Sequence, residues 1–200
     1  IGAVHLVVFS AFSPEALRKR LKMCKAKVLI TADGYYRRGK IIKLKEAADE
    51  GTKGTEVEKI IVVKRLGRKI PFKKNNFWFE NLIKNQKKSS KAEILDSEDP
   101  FFILPESGTT GEFLPILHTV GGYTVQALFS GKWIFNLKKD VLIWSTADIG
   151  WITGHTYTVY SPLLNGATTL IYEGAPDFPI EDRWAKIIQK YKVNVFYTAP

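Results

Sequence analysis

The sequence predicts an α/β fold, and two patterns along the chain support this prediction. Short unbroken runs of apolar residues recur, and such runs are typical of strands that are buried on both faces of a parallel sheet. They occupy residues 28–30, 60–63, 101–104, 141–144, 169–172 and 193–197. Between several of these runs, the apolar residues follow the spacing of a helix. We therefore expect mostly parallel sheets flanked by helices.

Two helices are predicted with defined boundaries. The first begins at Ser13 and Pro14, because serine is a good N-cap and proline fits the first helical position, and it runs through residue 21. The second covers residues 181–191, where the apolar side chains fall on one stripe. This stripe comprises Trp184, Ile187, Ile188 and Tyr191.

The net charge of +10 is distributed unevenly along the chain. Residues 1–95 contain 23 Lys and Arg against 9 Asp and Glu, whereas residues 96–200 contain 7 against 11. Basic stretches at residues 68–74 and 84–91 flank the aromatic residues 77–79, a combination that nucleic-acid-binding surfaces also use. Solvated helical faces and a packed aromatic core explain the same residues more simply. We favour this explanation over a nucleic-acid partner.

A polar stretch at residues 85–99 has the composition of a surface connection and marks the change in charge sign. We accordingly distinguish a basic α/β segment, residues 1–95, from a second α/β segment, residues 96–200.

The composition also disfavours several classes of protein. Cys24 is the only cysteine, so no internal disulfide can form, and the three histidines are too dispersed to match a zinc-ligand spacing. We predict no metal site. No apolar run approaches the roughly 18 to 20 residues that cross a bilayer, and the first residues lack the pattern of a signal peptide. We expect a globular cytoplasmic protein without a membrane segment.

A loop rich in glycine and hydroxyl groups follows the apolar run 101–104. It comprises Ser107, Gly108, Thr109, Thr110 and Gly111. Glycines allow a close backbone approach and hydroxyls add donors, so a loop of this kind can hold phosphate groups. Because Glu112 follows the last glycine, the loop does not match the G-x-x-x-x-G-K-[ST] pattern. A polar turn between a strand and a helix is the alternative interpretation.

Further motifs occur in order around this loop. They are Glu98-Asp99-Pro100, Leu117-His118-Thr119, Gly121-Gly122-Tyr123, the segment 146–155 (TADIGWITGH), Gly166-Ala167-Thr168-Thr169 and Tyr197-Thr198-Ala199-Pro200. Residues 1–5 and 12–16 belong to the same pattern. Together these motifs resemble the AMP-forming acetyl-CoA synthetases, which are adenylate-forming enzymes. The resemblance extends over the whole chain.

The resemblance implies a fold and an activity. The chain would be an internal fragment of the large N-terminal domain of an adenylate-forming enzyme, with both segments inside that domain. The complete enzyme would convert acetate, ATP and coenzyme A into acetyl-CoA, AMP and pyrophosphate through acetyl-adenylate, with Mg²⁺ as cofactor. The adenine-binding motif, the ribose-binding aspartate and the C-terminal domain with its lysine would lie beyond residue 200. We therefore expect the fragment not to be competent alone.

The resemblance also assigns site residues. The Ser107 loop would bind the phosphates of ATP, and Trp151 and Thr153 would form the acetate pocket, with Trp151 limiting acyl length. Coenzyme A would contact Arg37, Arg38, Gly39 and Lys40 together with Thr153 and Asp177. The resemblance gives His118 and His155 a position without an established role in proton transfer, so we assign no catalytic residue.

The sequence departs from the family pattern at several of these sites. Glu112 and Leu114 replace the two lysines of the family's GKPKG segment, Pro115 replaces its last glycine, and Glu106 precedes the loop. Two cations that would face polyphosphate are therefore missing. Lys40 stands in place of an arginine and Asp177 in place of an asparagine, so weaker binding of coenzyme A is expected. The alternative function is a degenerate, non-catalytic remnant or a module that binds polyanions or nucleotides.

Overall fold

The computed structural model describes residues 1–107 and 113–199. The chain divides into two compact units. One comprises Ser10–Ala92, and the other combines Ile1–Phe9 with Glu93–Pro200. In the described part of the chain, no helix combines the length and the apolar character needed to cross a membrane.

The Ser10–Ala92 unit is built around a three-stranded parallel sheet. Its elements are α1 (Pro14–Met23), β1 (Val28–Ala32), β2 (Tyr35–Arg37), β3 (Lys40–Ile42), α2 (Leu44–Gly51), β4 (Lys59–Val63), β5 (Asn76–Trp78) and α3 (Phe79–Ile83). The sheet has the order β1-β4-β5, and Leu29 pairs with Ile60. Ile60 and Val62 are buried, as expected for a central strand. Strands β2 and β3 form a separate antiparallel hairpin.

Helix α1 begins where the sequence predicts. The Ser13 hydroxyl accepts a hydrogen bond from the N–H of Ala16 at 3.2 Å, and Pro14 occupies the first turn. The helix packs on α2, where a Cβ at Gly51 would come within 2.7 Å of the Leu17 side chain. A small residue is therefore required at this helix crossing.

The other unit contains a hairpin, a long helix and a second parallel sheet. Its elements are β6 (Pro100–Ser107), β7 (Phe113–Thr119), α4 (Val120–Phe135), β8 (Leu142–Ser145), α5 (Ile152–Gly154), a π-helical turn (His155–Tyr160), α6 (Ser161–Leu164), β9 (Thr168–Thr169), α7 (Arg183–Tyr191) and β10 (Val195–Tyr197). The parallel sheet has the order β10-β8-β9, whereas β6 and β7 pair antiparallel. One core cluster contains Phe102, Leu104, Tyr123 and Ala127, and another contains Leu137, Ile143 and Ala167.

The described elements match most of the sequence prediction. Each predicted apolar run contains strand residues, although the run at 169–172 contributes only Thr169 to the two-residue strand β9. Helix α7 lies within the predicted segment 181–191. Strand β7 was not predicted, because its apolar run follows the Ser107 loop and contains a proline. Residues 84–99 hold no helix or strand and contain one of the two boundaries between the units. The division into residues 1–95 and 96–200 stays a prediction.

Candidate functional site

The predicted phosphate loop falls between the two strands of a hairpin. Ser107 ends β6 and pairs with Phe113, the first residue of β7. The rest of the loop lies outside the described residues, namely Gly108, Thr109, Thr110, Gly111 and also Glu112. Their assignment to the phosphates of ATP therefore stays a prediction.

Two departures from the family pattern lie in the β7 strand itself. Leu114 pairs with Glu106 and is 54% exposed, and Pro115 pairs with Pro105. Among the described strands, β7 pairs only with β6, so the opposite edge of β7 makes no backbone hydrogen bonds to another strand. A proline, which lacks an N–H donor, can be accommodated in such an edge strand. The apolar Leu114 side chain supplies no cation at a position where the family has a lysine.

The motif 146–155 forms a tight loop after strand β8. The Asp148 carboxylate accepts a hydrogen bond from the N–H of Gly150 at 2.7 Å, and the Asp148 carbonyl oxygen accepts one from the N–H of Trp151 at 3.0 Å. A Cβ at Gly154 would overlap the Asp148 carbonyl group, so only glycine fits there. These contacts fix the start of α5, which carries Thr153.

Thr153 faces a cavity of about 530 Å³ in this unit. The cavity is lined by the end of β7, the first turns of α4, and the α5 and π-helical segment. The lining side chains are Leu117, His118, Thr119, Tyr123, Gln126, Ile152, Thr153, Thr156 and Tyr157, together with Gly122. The cavity therefore combines an apolar wall with several hydroxyl, amide and imidazole groups, as small-molecule sites commonly do.

Trp151 and Thr153 differ in their surroundings, although the sequence assigns both to one pocket. Thr153 is half-buried and lines the cavity, whereas Trp151 is 54% exposed and is not among the lining residues. The structure thus brings Thr153 together with His118 and Tyr123, two residues to which the sequence analysis gave no binding role.

A buried hydrogen bond supports one wall of the cavity. The hydroxyl groups of Tyr123 and Thr156 lie 2.9 Å apart and link α4 to the π-helical turn. Burial raises the pKa of Tyr123 to about 12, although the hydrogen bond with Thr156 opposes this rise. Tyr123 therefore stays neutral at physiological pH and can serve as a hydrogen-bond donor.

The three histidines converge beside this wall. The Nε2 atoms of His5 and His155 lie 3.2 Å apart, and His118 stacks on Phe102 with ring centroids separated by 4.5 Å. Burial lowers the pKa of all three, and the proximity of His155 lowers the pKa of His5 and His118 further. The sequence could not indicate this cluster, because 113 positions separate the first two histidines in the chain. Among the described residues, no group of three or more His, Cys, Asp or Glu side chains is arranged to hold a metal ion.

The basic residues assigned to coenzyme A form the tip of the β2/β3 hairpin. Arg37 pairs with Lys40, and Arg38 and Gly39 between them have φ values of 47° and 73°. Positive φ at both central residues is what a two-residue type I′ turn requires. The turn therefore projects several cations from one short segment, of which Arg38 and Lys40 are exposed.

Asp177 belongs to the other compact unit. It is exposed and lies between β9 and α7, in a stretch without regular structure. The hairpin tip lies in the Ser10–Ala92 unit, and the joint role of the two in binding coenzyme A stays a prediction.

Comparison with known proteins adds independent evidence. Residues 1–200 match the family model of the AMP-binding enzymes. The chain is 48% identical over 202 residues to the acetyl-coenzyme A synthetase of Methanothrix thermoacetophila, covering 100% of this chain and 31% of that protein. It is also 48% identical over 204 residues to acetyl-coenzyme A synthetase 1 of Pseudomonas aeruginosa, with 100% and 31% covered. The chain thus spans about 31% of the length of these curated relatives.

A solved structure shares the fold. The acetoacetyl-CoA synthetase from Streptomyces lividans matches with a TM-score of 0.84 at 25% sequence identity, covering 94% of this chain and 28% of that one. This similarity confirms the predicted α/β fold as part of an adenylate-forming enzyme. Since the family model covers its entire length, the chain belongs to the family of AMP-binding enzymes.

Proposed function

We propose that the chain is part of an acetate–CoA ligase. Such an enzyme joins acetate to ATP, which gives acetyl-adenylate and pyrophosphate, and then transfers the acetyl group to the thiol of coenzyme A with release of AMP. The observation that carries the proposal is the identity of 46–48% to acetyl-coenzyme A synthetases, which extends over 100% of this chain.

The cavity beside Thr153 is the proposed binding region for the small substrate. Its volume of about 530 Å³ exceeds what acetate alone needs, so it also leaves space for a neighbouring part of a larger substrate. Hydroxyl groups of Thr153 and Thr156 and the amide of Gln126 offer donors for a carboxylate or its adenylate. Trp151 is not among the residues that line this cavity. We nevertheless propose that its indole ring limits the length of the acyl chain that the enzyme accepts.

ATP would enter the reaction as its Mg²⁺ complex. The leaving pyrophosphate must be neutralised in the transition state, and the backbone and hydroxyl groups of Ser107, Gly108, Thr109, Thr110 and Gly111 are proposed to share this role. The Mg²⁺ ion would be carried mainly by the phosphates of its substrate.

Coenzyme A is proposed to bind through cations at the β2/β3 hairpin tip. Arg37, Arg38 and Lys40 are clustered by the tight turn at Gly39, and clustered cations suit phosphate groups. Thr153 and Asp177 would contact other parts of the molecule. We also propose a cytoplasmic location, since the single cysteine leaves the chain without an internal disulfide.

A chimeric enzyme tests this function directly. This chain would replace the aligned segment of the Methanothrix thermoacetophila synthetase, and acetate-dependent exchange of pyrophosphate into ATP would be measured. We expect exchange in a matched chimera that carries Glu112→Lys, Leu114→Lys and Pro115→Gly, and weaker exchange without these changes. A folded matched chimera that binds ATP but shows no acetate-dependent exchange would contradict the proposal.

The altered loop favours one alternative function, a non-catalytic remnant that binds polyanions. Affinity measurements on the 200-residue chain distinguish the two. A ligase segment should prefer coenzyme A over heparin and lose this preference in Arg37→Ala. A general polyanion binder should bind both, with an affinity for each that falls steeply as salt is added.

A further inference from the structure

The contact between His5 and His155 depends on the number of protons that the two rings share. Nδ1 of His155 lies 2.7 Å from the carbonyl oxygen of Ile149. A carbonyl oxygen can only accept, so Nδ1 must carry the hydrogen and donate it. In the neutral ring Nε2 is then an acceptor. Since this atom is 3.2 Å from Nε2 of His5, a hydrogen bond between the two neutral rings requires that Nε2 of His5 donates.

This shared hydrogen ties together two parts of the same compact unit. His5 is held on strand β6, because its carbonyl oxygen accepts a hydrogen bond from the N–H of Ile103 at 2.9 Å. His155 begins the π-helical turn, and its N–H donates to the carbonyl oxygen of Trp151 at 2.8 Å. Together with the Nδ1 contact to Ile149, this closes the loop 149–155 on itself.

We propose that His155 is a positioning residue that holds the loop 149–155, and with it Thr153, only while the His5–His155 pair shares a single hydrogen. Protonating both rings would place two N–H groups, each carrying a positive charge, against one another and would release the loop from β6. The contribution of Thr153 to substrate binding rests on the proposed function, whereas the state of the histidine pair does not.

The apolar rings around the pair favour the neutral state, whereas the backbone hydrogen bonds of His5 with Phe101 and of His155 with Ile149 act in the opposite direction and raise the two pKa values. The rings facing it include Phe101, Phe102, Tyr123 and Tyr160, and the Tyr160 hydroxyl lies 3.3 Å from Nε2 of His5. His118 interacts unfavourably with His155 when both are charged, and Glu106 acts in the opposite direction on His118. His155 itself is only 2% exposed.

The direction of the pH dependence follows from these surroundings. Burial lowers the pKa of His5 and of His155 below 6.5, and the charge of His155 lowers the pKa of His5 further. A depressed pKa means that the unfolded or opened state binds protons more readily. The stabilisation is therefore present above about pH 6.5 and is lost as the pH falls through the lowered pKa values.

Nitrogen-15 NMR of the 200-residue chain tests the pair directly, because only three histidines contribute signals. We expect His155 as the neutral Nδ1–H tautomer, and we expect His5 and His155 to titrate below pH 6.5. A neutral Nε2–H tautomer for His155, or titration of both rings at or above pH 6.5, would overturn the proposal.

Hydrogen exchange then tests the positioning role with two matched variants. His155→Asn keeps an amide donor near the position of Nδ1, whereas His155→Gln places its amide near Nε2. Protection of amides 149–155 should fall roughly three- to tenfold in acid in the wild type. In His155→Asn it should be insensitive to acid, and in His155→Gln it should be low at all pH values. Equal protection in the two variants would refute the role of the Ile149 contact.

Kinetics on the active chimera connect the pair to the site. The KM for acetate should rise in acid more than kcat falls, and His155→Asn should suppress this rise. An unchanged KM in acid, in a chimera that is active, would show that the loop does not position Thr153. A chimera inactive at every pH would count against the proposed function alone, since NMR and exchange still decide the state of the pair.

Discussion

Asp33 accepts two hydrogen bonds from Arg68, one with its side chain and one with its backbone. The Asp33 carboxylate accepts the N–H of Arg68 at 2.8 Å, and the Arg68 guanidinium donates to the Asp33 carbonyl oxygen at 2.6 Å. The same carboxylate accepts the N–H groups of Arg65 and Leu66, each at 2.9 Å. Arg68 also forms an ion pair with Glu46. These bonds fix the loop after β4 against the end of β1 in the Ser10–Ala92 unit.

Asp33→Asn is expected to destabilise this unit by about 1.5 to 3 kcal/mol, because an amide offers one acceptor oxygen where the carboxylate offers two, and it has no charge. Burial raises the pKa of Asp33, but the backbone N–H donors together lower it by more, so the pKa lies below its ordinary value of 3.8. The stabilisation is therefore present above about pH 3.8 and is lost as the pH falls through the lowered value. Urea unfolding between pH 3 and 7 measures the effect, with the exposed Glu58→Gln as the control. Equal stabilities of the two variants at pH 7 would contradict this account.

Two glycines in helix α4 should differ in how strongly their replacement by alanine changes stability. A Cβ at Gly131 would overlap the Ser161 hydroxyl, whereas the nearest atom at Gly122 is the Thr119 hydroxyl oxygen at 3.1 Å. Gly131→Ala should cost about 1 to 3 kcal/mol through overpacking against α6. Gly122→Ala should change stability by less than about 1 kcal/mol, since the gain in helix propensity offsets the tight contact. Thermal unfolding compares them, and similar losses in both variants would show that the α4–α6 packing is wrong.

Arg38→Asn should separate folding from binding at the hairpin tip. Asparagine adopts positive φ more readily than arginine and favours the type I′ turn when glycine follows, so stability should rise by a few tenths of a kcal/mol. Affinity for coenzyme A should fall several-fold, because a phosphate-binding cation is lost. Calorimetric titration and unfolding of the same variant provide both values. Unchanged affinity would remove Arg38 from the proposed coenzyme A site.

Tyr123→Phe should reduce stability at neutral pH by about 1 kcal/mol, because the Thr156 hydroxyl loses its buried partner. The effect should diminish in alkali. Since folding raises the pKa of Tyr123 from 10 to about 12, wild-type stability from this residue is fully present below pH 10 and is lost as the pH rises through about 12. Because two pKa units correspond to about 2.7 kcal/mol, the stabilities of the two proteins, measured by unfolding between pH 7 and 12, should converge above pH 10 and cross before pH 12. A constant difference over this range would argue that Tyr123 is not desolvated.

Trp151→Gly in the active chimera should widen the acyl range. Specificity for butyrate relative to acetate should rise by roughly tenfold or more, because each methylene that a pocket accepts is worth a factor of this size. Trp151→Phe, which retains an aromatic ring, should change this ratio much less. Measuring kcat/KM for both acids checks the prediction, and an unchanged ratio in the glycine variant would remove Trp151 from the acyl site.

The sequence by itself determined the elements that local rules control. Unbroken apolar runs predicted the strands of both parallel sheets, and Ser13 with Pro14 predicted the start of α1, because burial on both faces and capping depend on neighbouring residues. Residue motifs also determined the family, which the match over residues 1–200 confirms.

Only the tertiary structure decided which distant side chains meet. His5 and His155 are separated by 150 positions in the chain, and Tyr123 and Thr156 by 33. No periodic pattern in the sequence encodes such contacts. Likewise, the sequence placed Thr153 and Trp151 in one pocket, and that assignment stays a prediction, but only the fold shows that Thr153 lines the cavity beside Tyr123. Contacts of this kind arise from how strands and helices pack, and their energies are non-local. For that reason the sequence identified the motif that carries Thr153. Only the fold shows that the π-helical turn next to this motif packs on β6, where the ring of His155 contacts Phe102.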